Sequence, residues 1–190
     1  TAMTVEASLC AHPQIPIPVG SVFAGRYQVL RYLAQGKTSC VCQAQDLLAG
    51  QSVVLKLIRT RTSDKAAIER VKREPLLARK LAHPNIVRVF DIGEGEGLFF
   101  ISMEFIDGQD LRSLLGEGQA VPLSRFLSIF GQLCSALAYL HSQDIVHRDI
   151  QPANLLLDCR GTLKLIDLGV AREHGRRSDR RGPEDFSEYT

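Results

Sequence analysis

Several features that would narrow the field at once are missing from this sequence. Its 190 residues carry 23 Lys and Arg against 21 Asp and Glu, a net charge of +2, and the two signs are mixed along the chain. No basic face is set out for nucleic acid and no polybasic patch for a membrane surface. Cysteine is sparse and unpatterned. Cys10, Cys40, Cys42, Cys134 and Cys159 are odd in number and form no CxxC pair, which disfavours a disulfide framework or zinc site and fits reduced thiols in a cytoplasmic compartment. Cys40 and Cys42 read instead as small apolar strand residues. No uninterrupted apolar run reaches the ~18–20 residues that a bilayer-spanning helix needs. The N-terminus also lacks the basic-then-apolar pattern of a secretory leader, so no membrane segment is expected within the chain. Its first residue is Thr1 rather than Met, which suggests a segment of a longer protein that could be anchored elsewhere.

What is present is a globular composition, 45% hydrophobic, in a length that suits one domain or two small lobes. Residues 1–24 include "HPQIPIPVG", whose prolines disfavour helix and predict an extended linker. From 25 to 105 the pattern is strand-like: "YQVLRYLA", "CVCQAQD", "SVVLKLI", "IVRVFDI" and "LFFISME" are rich in β-branched and aromatic residues and separated by Gly-bearing turns. Between the third and fourth, "SDKAAIERVKREPLLARKLAHP" has apolar residues at helical spacing, a Ser63/Asp64 start and a Pro84 stop. "GEGEG" at 93–97 lies between two strand patterns and opens no helix, so it predicts a hairpin turn rather than a phosphate loop. After residue 106 the character changes. "PLSRFLSIFGQLCSALAYLHSQD" predicts a long helix with Phe126, Phe130, Leu133, Leu137 and Leu140 on one stripe. A strand-rich half followed by a helix-rich half predicts an α+β chain of two lobes with a cleft between them.

The polar residues of "IVHRDIQPANLLLD" at 145–158 interrupt an apolar segment, and such groups are costly to bury unless a site needs them. Read in order with "LAQGKTSCVCQA", "VVLKLI", "REPLLARKLAHPNIV", "MEFIDG" and "IDLGVA", they form a set whose order and spacing resemble the protein kinase family. The resemblance spans residues 26 to about 172. It implies a two-lobed kinase-like fold: an antiparallel five-stranded N-lobe with one helix at 25–105, the first part of a helical C-lobe at 106–172, and a charged tail or partial activation segment at 173–190.

The resemblance also implies roles. Lys56 matches the lysine that reaches the ATP phosphates and Glu74 the glutamate that orients it. Asp149 matches the catalytic base, while Asn154 and Asp167 match the Mg²⁺ ligands, hard oxygen donors for a hard cation. Ala34, Gly36 and Ser39 stand at the three glycine positions of the phosphate loop, Val41 and Leu156 where the adenine ring is sandwiched, and Met103 and Glu104 at the gatekeeper and first hinge positions. His147 and Arg148 match structural positions of the loop. Pro152 points to serine/threonine rather than tyrosine specificity, and "HPNIVRVFDIGEGEG" has a bacterial look. The partners implied are ATP, Mg²⁺ and a protein substrate. For Ser178, among arginines, a solvated charged tail is the expectation.

Four departures from the family pattern bear on activity. Only Gly36 of the three loop glycines is kept, and a side chain restricts the approach of backbone N–H groups to phosphate. Gln151 replaces a lysine that would stand beside the γ-phosphate. Pro75 follows Glu74 inside the predicted helix, where proline is disfavoured by about 3 kcal/mol. After Arg172 no APE motif follows, which predicts an incomplete C-lobe, apolar surface left uncovered on the long helix, and an inactive chain as it stands. Leu168 for the usual Phe is a tolerable swap. The alternative reading is a pseudokinase, a nucleotide-binding or protein-binding switch module without phosphotransfer.

Overall fold

A computed structural model of the chain describes residues 17–36, 39–59, 78–116, 121–167 and 172–173. The predicted helix of 63–84 is therefore outside the described residues up to 77, including Glu74 and Pro75, as are Leu168, Ser178 and residues 1–16 of the predicted linker.

The five predicted strands are all present, as β2 (Tyr27–Gln35), β3 (Ser39–Asp46), β4 (Gln51–Ile58), β5 (Val89–Gly95) and β6 (Leu98–Glu104). A sixth, β1 (Val22–Phe23), precedes them, and the antiparallel sheet runs β1-β2-β3-β4-β6-β5. This corrects the linker expectation for residues 17–24. The Gly20 amide donates to Val29 O at 2.8 Å and the Val29 amide to Ser21 O at 2.9 Å, the Tyr32 hydroxyl donates to the Ile17 carbonyl, and Ile17 and Phe23 are buried. Pro18 disfavours helix here but leaves the segment able to fold back on a sheet edge.

Alternation does the sorting within the sheet. On β3 and β4, Cys40, Cys42, Ala44, Val53, Leu55 and Leu57 face one core with Tyr27, Val29 and Phe100, while Val41, Val54 and Lys56 fall on the other face. The β3–β4 register is unbroken from Ser39↔Ile58 to Asp46↔Gln51 and sets Val41 opposite Lys56. The β5–β6 turn is the predicted hairpin: Gly95 pairs with Leu98, and Glu96 and Gly97 both take positive φ, 53° and 74°, as a type I′ turn requires.

The lower lobe contains β7 (Gly108–Asp110), α1 (Leu111–Gly116), α2 (Leu123–Ser142), β8 (Ile145–Val146), a 3₁₀ turn (Pro152–Asn154), β9 (Leu155–Asp158), β10 (Leu163–Leu165) and β11 (Arg172–Glu173). β10-β9-β7 form one small sheet and β11-β8 another, so β11 straddles the boundary drawn at 172. At Gly108 an added Cβ would sit 2.3 Å from Leu157 O; only glycine lets β7 approach β9 this closely.

Helix α2 matches its predicted span, but not its predicted stripe. Ile129, Ala136 and Leu140 are buried with Leu133 and Leu137 packed beside them, whereas Phe126 and Phe130, stacked at 5.9 Å, are 52% exposed. The helix turns Ile129, Ala136 and Leu140 toward the core shared with β8 and β10, and the aromatic pair is left half open to solvent. With a mean hydropathy of 1.3 and 20 residues, α2 is long and apolar enough by length and composition to cross a membrane. That corrects the expectation that no segment of the chain qualifies; a core helix can have the same composition, and Ala136 and Leu140 are fully buried.

Strand ends of the upper sheet are tied by one cation. Arg26 donates through Nε and Nη2 to the two carboxylate oxygens of Asp46 at 2.9 and 2.7 Å, and through Nη1 to Asp91 at 2.9 Å. Asp46 also accepts the Leu48 and Ala49 amides. The Arg26 guanidinium, aided by those amides, holds the Asp46 carboxyl below its ordinary value of 3.8. A group depressed in the folded state contributes stability above its unfolded value and loses it as pH falls toward the native one. Asp46→Ala should therefore destabilise the protein by about 2–3 kcal/mol at neutral pH, below the roughly 3–5 kcal/mol for breaking a fully buried pair because Arg26 keeps some solvent contact. The difference should shrink as pH drops below 3.8. Urea denaturation measures it; a change under about 0.5 kcal/mol would mean that the clamp has no net worth.

Candidate active site

The two lobes are stitched where "HPNIV" meets β10. The Val87 amide donates to Leu165 O at 2.9 Å and the Leu165 amide to Asn85 O at 2.8 Å, a short parallel pairing centred on Ile86. The buried Asn85 side chain donates to Gln132 Oε1 at 2.8 Å and Leu163 O at 2.9 Å, and Gln132 closes the knot by accepting the Leu163 amide and donating to Gly161 O. This pairing carries the chain out of β10 directly beneath β4. Asp167 then meets Lys56, with Nζ 3.0 Å from Oδ1, and it does so with φ of 57°, a left-handed conformation that Asp tolerates better than most residues. The sequence paired Lys56 with Glu74; among the described residues its ion-pair partner is Asp167.

The loop between β8 and β9 is organised around Asp149. The Asp149 amide donates to His147 Nδ1 at 3.3 Å, and Asn154 Nδ2 donates to both the Asp149 carbonyl and its Oδ2, at 3.0 and 2.8 Å. Gln151 Nε2 donates to the same Oδ2 at 3.0 Å. Both amides thus converge on one carboxylate oxygen, and Oδ1 accepts nothing from the described residues. Arg148 has φ of 66°, a strained turn that the surrounding bonds must hold. The Ile166 amide donates to the Asn154 carbonyl at 2.9 Å, so Asn154 and Asp167 are held on adjacent strands of backbone.

Above and in front of this cluster lies a cavity of about 840 Å³. Ala34, Gly36, Ser39 and Val41 line it from β2–β3, Lys56 from β4, Met103 and Glu104 from the end of β6, and Leu156 and Asp167 from below. The Glu104 carboxylate accepts from Lys164 at 2.8 Å, and its amide donates to Arg88 O at 2.9 Å. Of the site residues named from the sequence, only Glu74 is outside the described residues; Asp149, Gln151 and Asn154 adjoin the cavity rather than line it. Missing from the sequence reading was Arg112, whose Nη2 donates to Gln151 Oε1 at 3.3 Å. The two are 39 residues apart, and no local pattern signals such a contact.

The 27–189 stretch matches the family description "protein kinase domain". The chain is 36% identical over 154 residues to the serine/threonine-protein kinase PrkC of Bacillus subtilis, covering 80% of this chain and 24% of that protein. It is 39% identical over 155 residues to PknD of Mycobacterium tuberculosis, covering 81% and 23%, and 35% identical over 160 residues to pkn3 of Myxococcus xanthus, covering 81% and 29%. The chain thus spans about a quarter of the length of these curated relatives.

His147, 1% exposed, has its pKa lowered from 6.5 by burial, with the Ile166 carbonyl opposing only in part; its Nε2 has no hydrogen-bond partner among the described residues. The ring is stable when neutral, so stability is full above 6.5 and declines as pH falls, because the unfolded chain then takes up a proton that the native ring resists. His147→Phe should flatten this decline, which is at most about 1.4 kcal/mol per pH unit for one group. Chemical denaturation of both proteins from about pH 7 down to 5 tests it, and parallel pH dependences would remove His147 as the cause.

Proposed function

The chain belongs to the protein kinase family, and we propose that its cleft transfers the terminal phosphoryl group of ATP, with Mg²⁺, to a serine or threonine hydroxyl of a protein. The observation that carries this reading is the convergence of Lys56, Asp149, Asn154 and Asp167, from three separate segments, at one end of a nucleotide-sized cavity. The donor set fits the ligands. Val41 and Leu156 offer aliphatic faces for a flat ring, and Lys56 offers an ammonium for phosphate oxygens. Asp167 supplies a carboxylate for the metal. The Asn154 amide nitrogen is committed to Asp149, so its oxygen is the atom left to face a cation.

Bound ATP and Mg²⁺ supply the phosphoryl group and the charge neutralisation for its transfer. Lys56 and Asp167 pair with each other here; with nucleotide and metal bound, the ammonium would face phosphate oxygens and the carboxylate would hold the metal. Asp149, its Oδ2 held by two amides, keeps Oδ1 for the acceptor hydroxyl and takes its proton. The four described cysteines are unpaired, which supports a cytoplasmic setting for this domain.

A second reading, a nucleotide-responsive module without transfer, rests on two observations. The Gly36 amide, a natural phosphate donor, is spent on Ser39 O at 2.8 Å, and Gln151 puts a neutral amide where the family has a cation.

In the full-length protein, Mg–ATP at a hundredfold over its Kd should stabilise by about 2.7 kcal/mol, and Asp167→Ala should abolish the Mg²⁺ dependence of the resulting Tm rise. No rise with wild type would end the nucleotide reading. Gln151→Lys should raise kcat at least about tenfold with a smaller change in KM for ATP, since charge on the moving group grows mainly in the transition state; Asp149→Asn in that background should remove transfer. Nucleotide binding without transfer in either protein would favour the module.

A further inference from the structure

The neutral residue at 151 is not isolated from positive charge. Arg112 stands in the first turn of α1, whose start is fixed by Asp110: its two carboxylate oxygens accept the Ser113 amide at 2.9 Å and the Ser113 hydroxyl at 2.8 Å. Asp110 itself ends β7, paired with Leu156 of β9. The guanidinium is therefore carried by an element bonded to the strand that leaves the Asp149 loop. Among the described residues no carboxylate makes an ion pair with it. Its hydrogen-bond acceptor is Gln151 Oε1 at 3.3 Å, and Gln151 passes Nε2 to Asp149 Oδ2 at 3.0 Å.

On the phosphotransfer reading above, we propose that Arg112 is a positioning residue that restores, through the Gln151 amide, the cationic influence a lysine at 151 would have exerted directly. An amide that accepts from a cation at its oxygen becomes a stronger donor at its nitrogen, because the two bonds polarise each other in the same sense. Arg112 thereby does two things. It fixes the Gln151 orientation, since only the flip with oxygen toward the guanidinium lets Nε2 reach Asp149. It also strengthens that donor, which carries a second hydrogen not needed by Asp149 and available to an oxygen of the moving phosphoryl group. The restoration is partial: a neutral amide relays only part of the Arg112 charge, whereas a lysine at 151, although it would stand against Arg112, would act on the phosphoryl group directly.

The charge at Arg112 and the residue at 151 must then be coupled, and a double-mutant cycle reads that coupling directly. In the full-length protein, Arg112→Ala should lower kcat about tenfold, the order lost with one indirect transition-state donor, while KM for ATP stays within about twofold. Arg112→Lys, which keeps the charge, should recover most of kcat. With Gln151→Lys as background, the loss caused by Arg112→Ala should vanish or turn into a gain. Equal losses in both backgrounds, or a loss expressed in KM for the acceptor alone, would overturn the relay and make Arg112 a docking contact. A readout independent of transfer separates this proposal from the function it rests on. In isotope-labelled protein the Gln151 side-chain amide resonances should move toward those of a solvated glutamine on Arg112→Ala. Unmoved resonances overturn the relay; moved resonances in a protein that transfers nothing uphold the relay and reject the transferase.

Discussion

Asn85, Ile86 and Val87 pair in parallel with Leu165, and the meeting of Lys56 with Asp167 depends on that short contact. It is the backbone link through which the strand-rich lobe reaches β10. A buried amide side chain with an unmet donor or acceptor carries a penalty of about 1–3 kcal/mol, and Asn85 escapes it only when Gln132 and Leu163 are both in position. The lobes are therefore registered by hydrogen bonding as well as by apolar area. Asp167 lies two residues past Leu165, and β4 hangs Lys56 from the sheet above it. A slip of one residue at this contact would turn the carboxylate away from the ammonium.

The lower half of the site obeys a different constraint. Asp149 sits beside a residue with a left-handed backbone, a conformation disfavoured without outside support. Asn154 and Gln151 provide that support by bonding to the same carboxylate oxygen, and the His147 ring receives the Asp149 amide from beneath. One oxygen, Oδ2, is held by two amides, and Oδ1 accepts nothing from the described residues. Gln151 belongs within this frame: its amide bridges the Arg112 guanidinium on a neighbouring element to the Asp149 carboxylate.

Legibility in the sequence followed the range of the forces involved. The hairpin at 93–97 and the alternation that sets Val41 and Lys56 on the cleft face of the sheet are decided by residues next to one another, and the strands appear where they were read. The "HRDIQPAN" and "IDLGVA" segments were recognisable because polar groups stand in apolar surroundings. Two readings failed for one reason. The stripe on α2 was drawn by periodicity, but burial depends on what lies opposite, and the core takes Ile129, Ala136 and Leu140 while Phe126 and Phe130 stay half exposed. Residues 17–24 were read as linker from their prolines, yet Ile17 and Phe23 find a core that the rest of the sheet creates.

By itself the sequence determined the family resemblance, the order of the strands along the chain, and which polar residues interrupt apolar segments, because these reside in residue type and local spacing. Only the tertiary structure decided which groups touch. Lys56 finds Asp167 across 111 residues and Arg112 finds Gln151 across 39. Such partners are chosen by sheet register, by the parallel pairing of Asn85–Val87 with Leu165, and by the capped start of α1, none of which has a local pattern, since each arises when distant segments bury their backbone polar groups against one another.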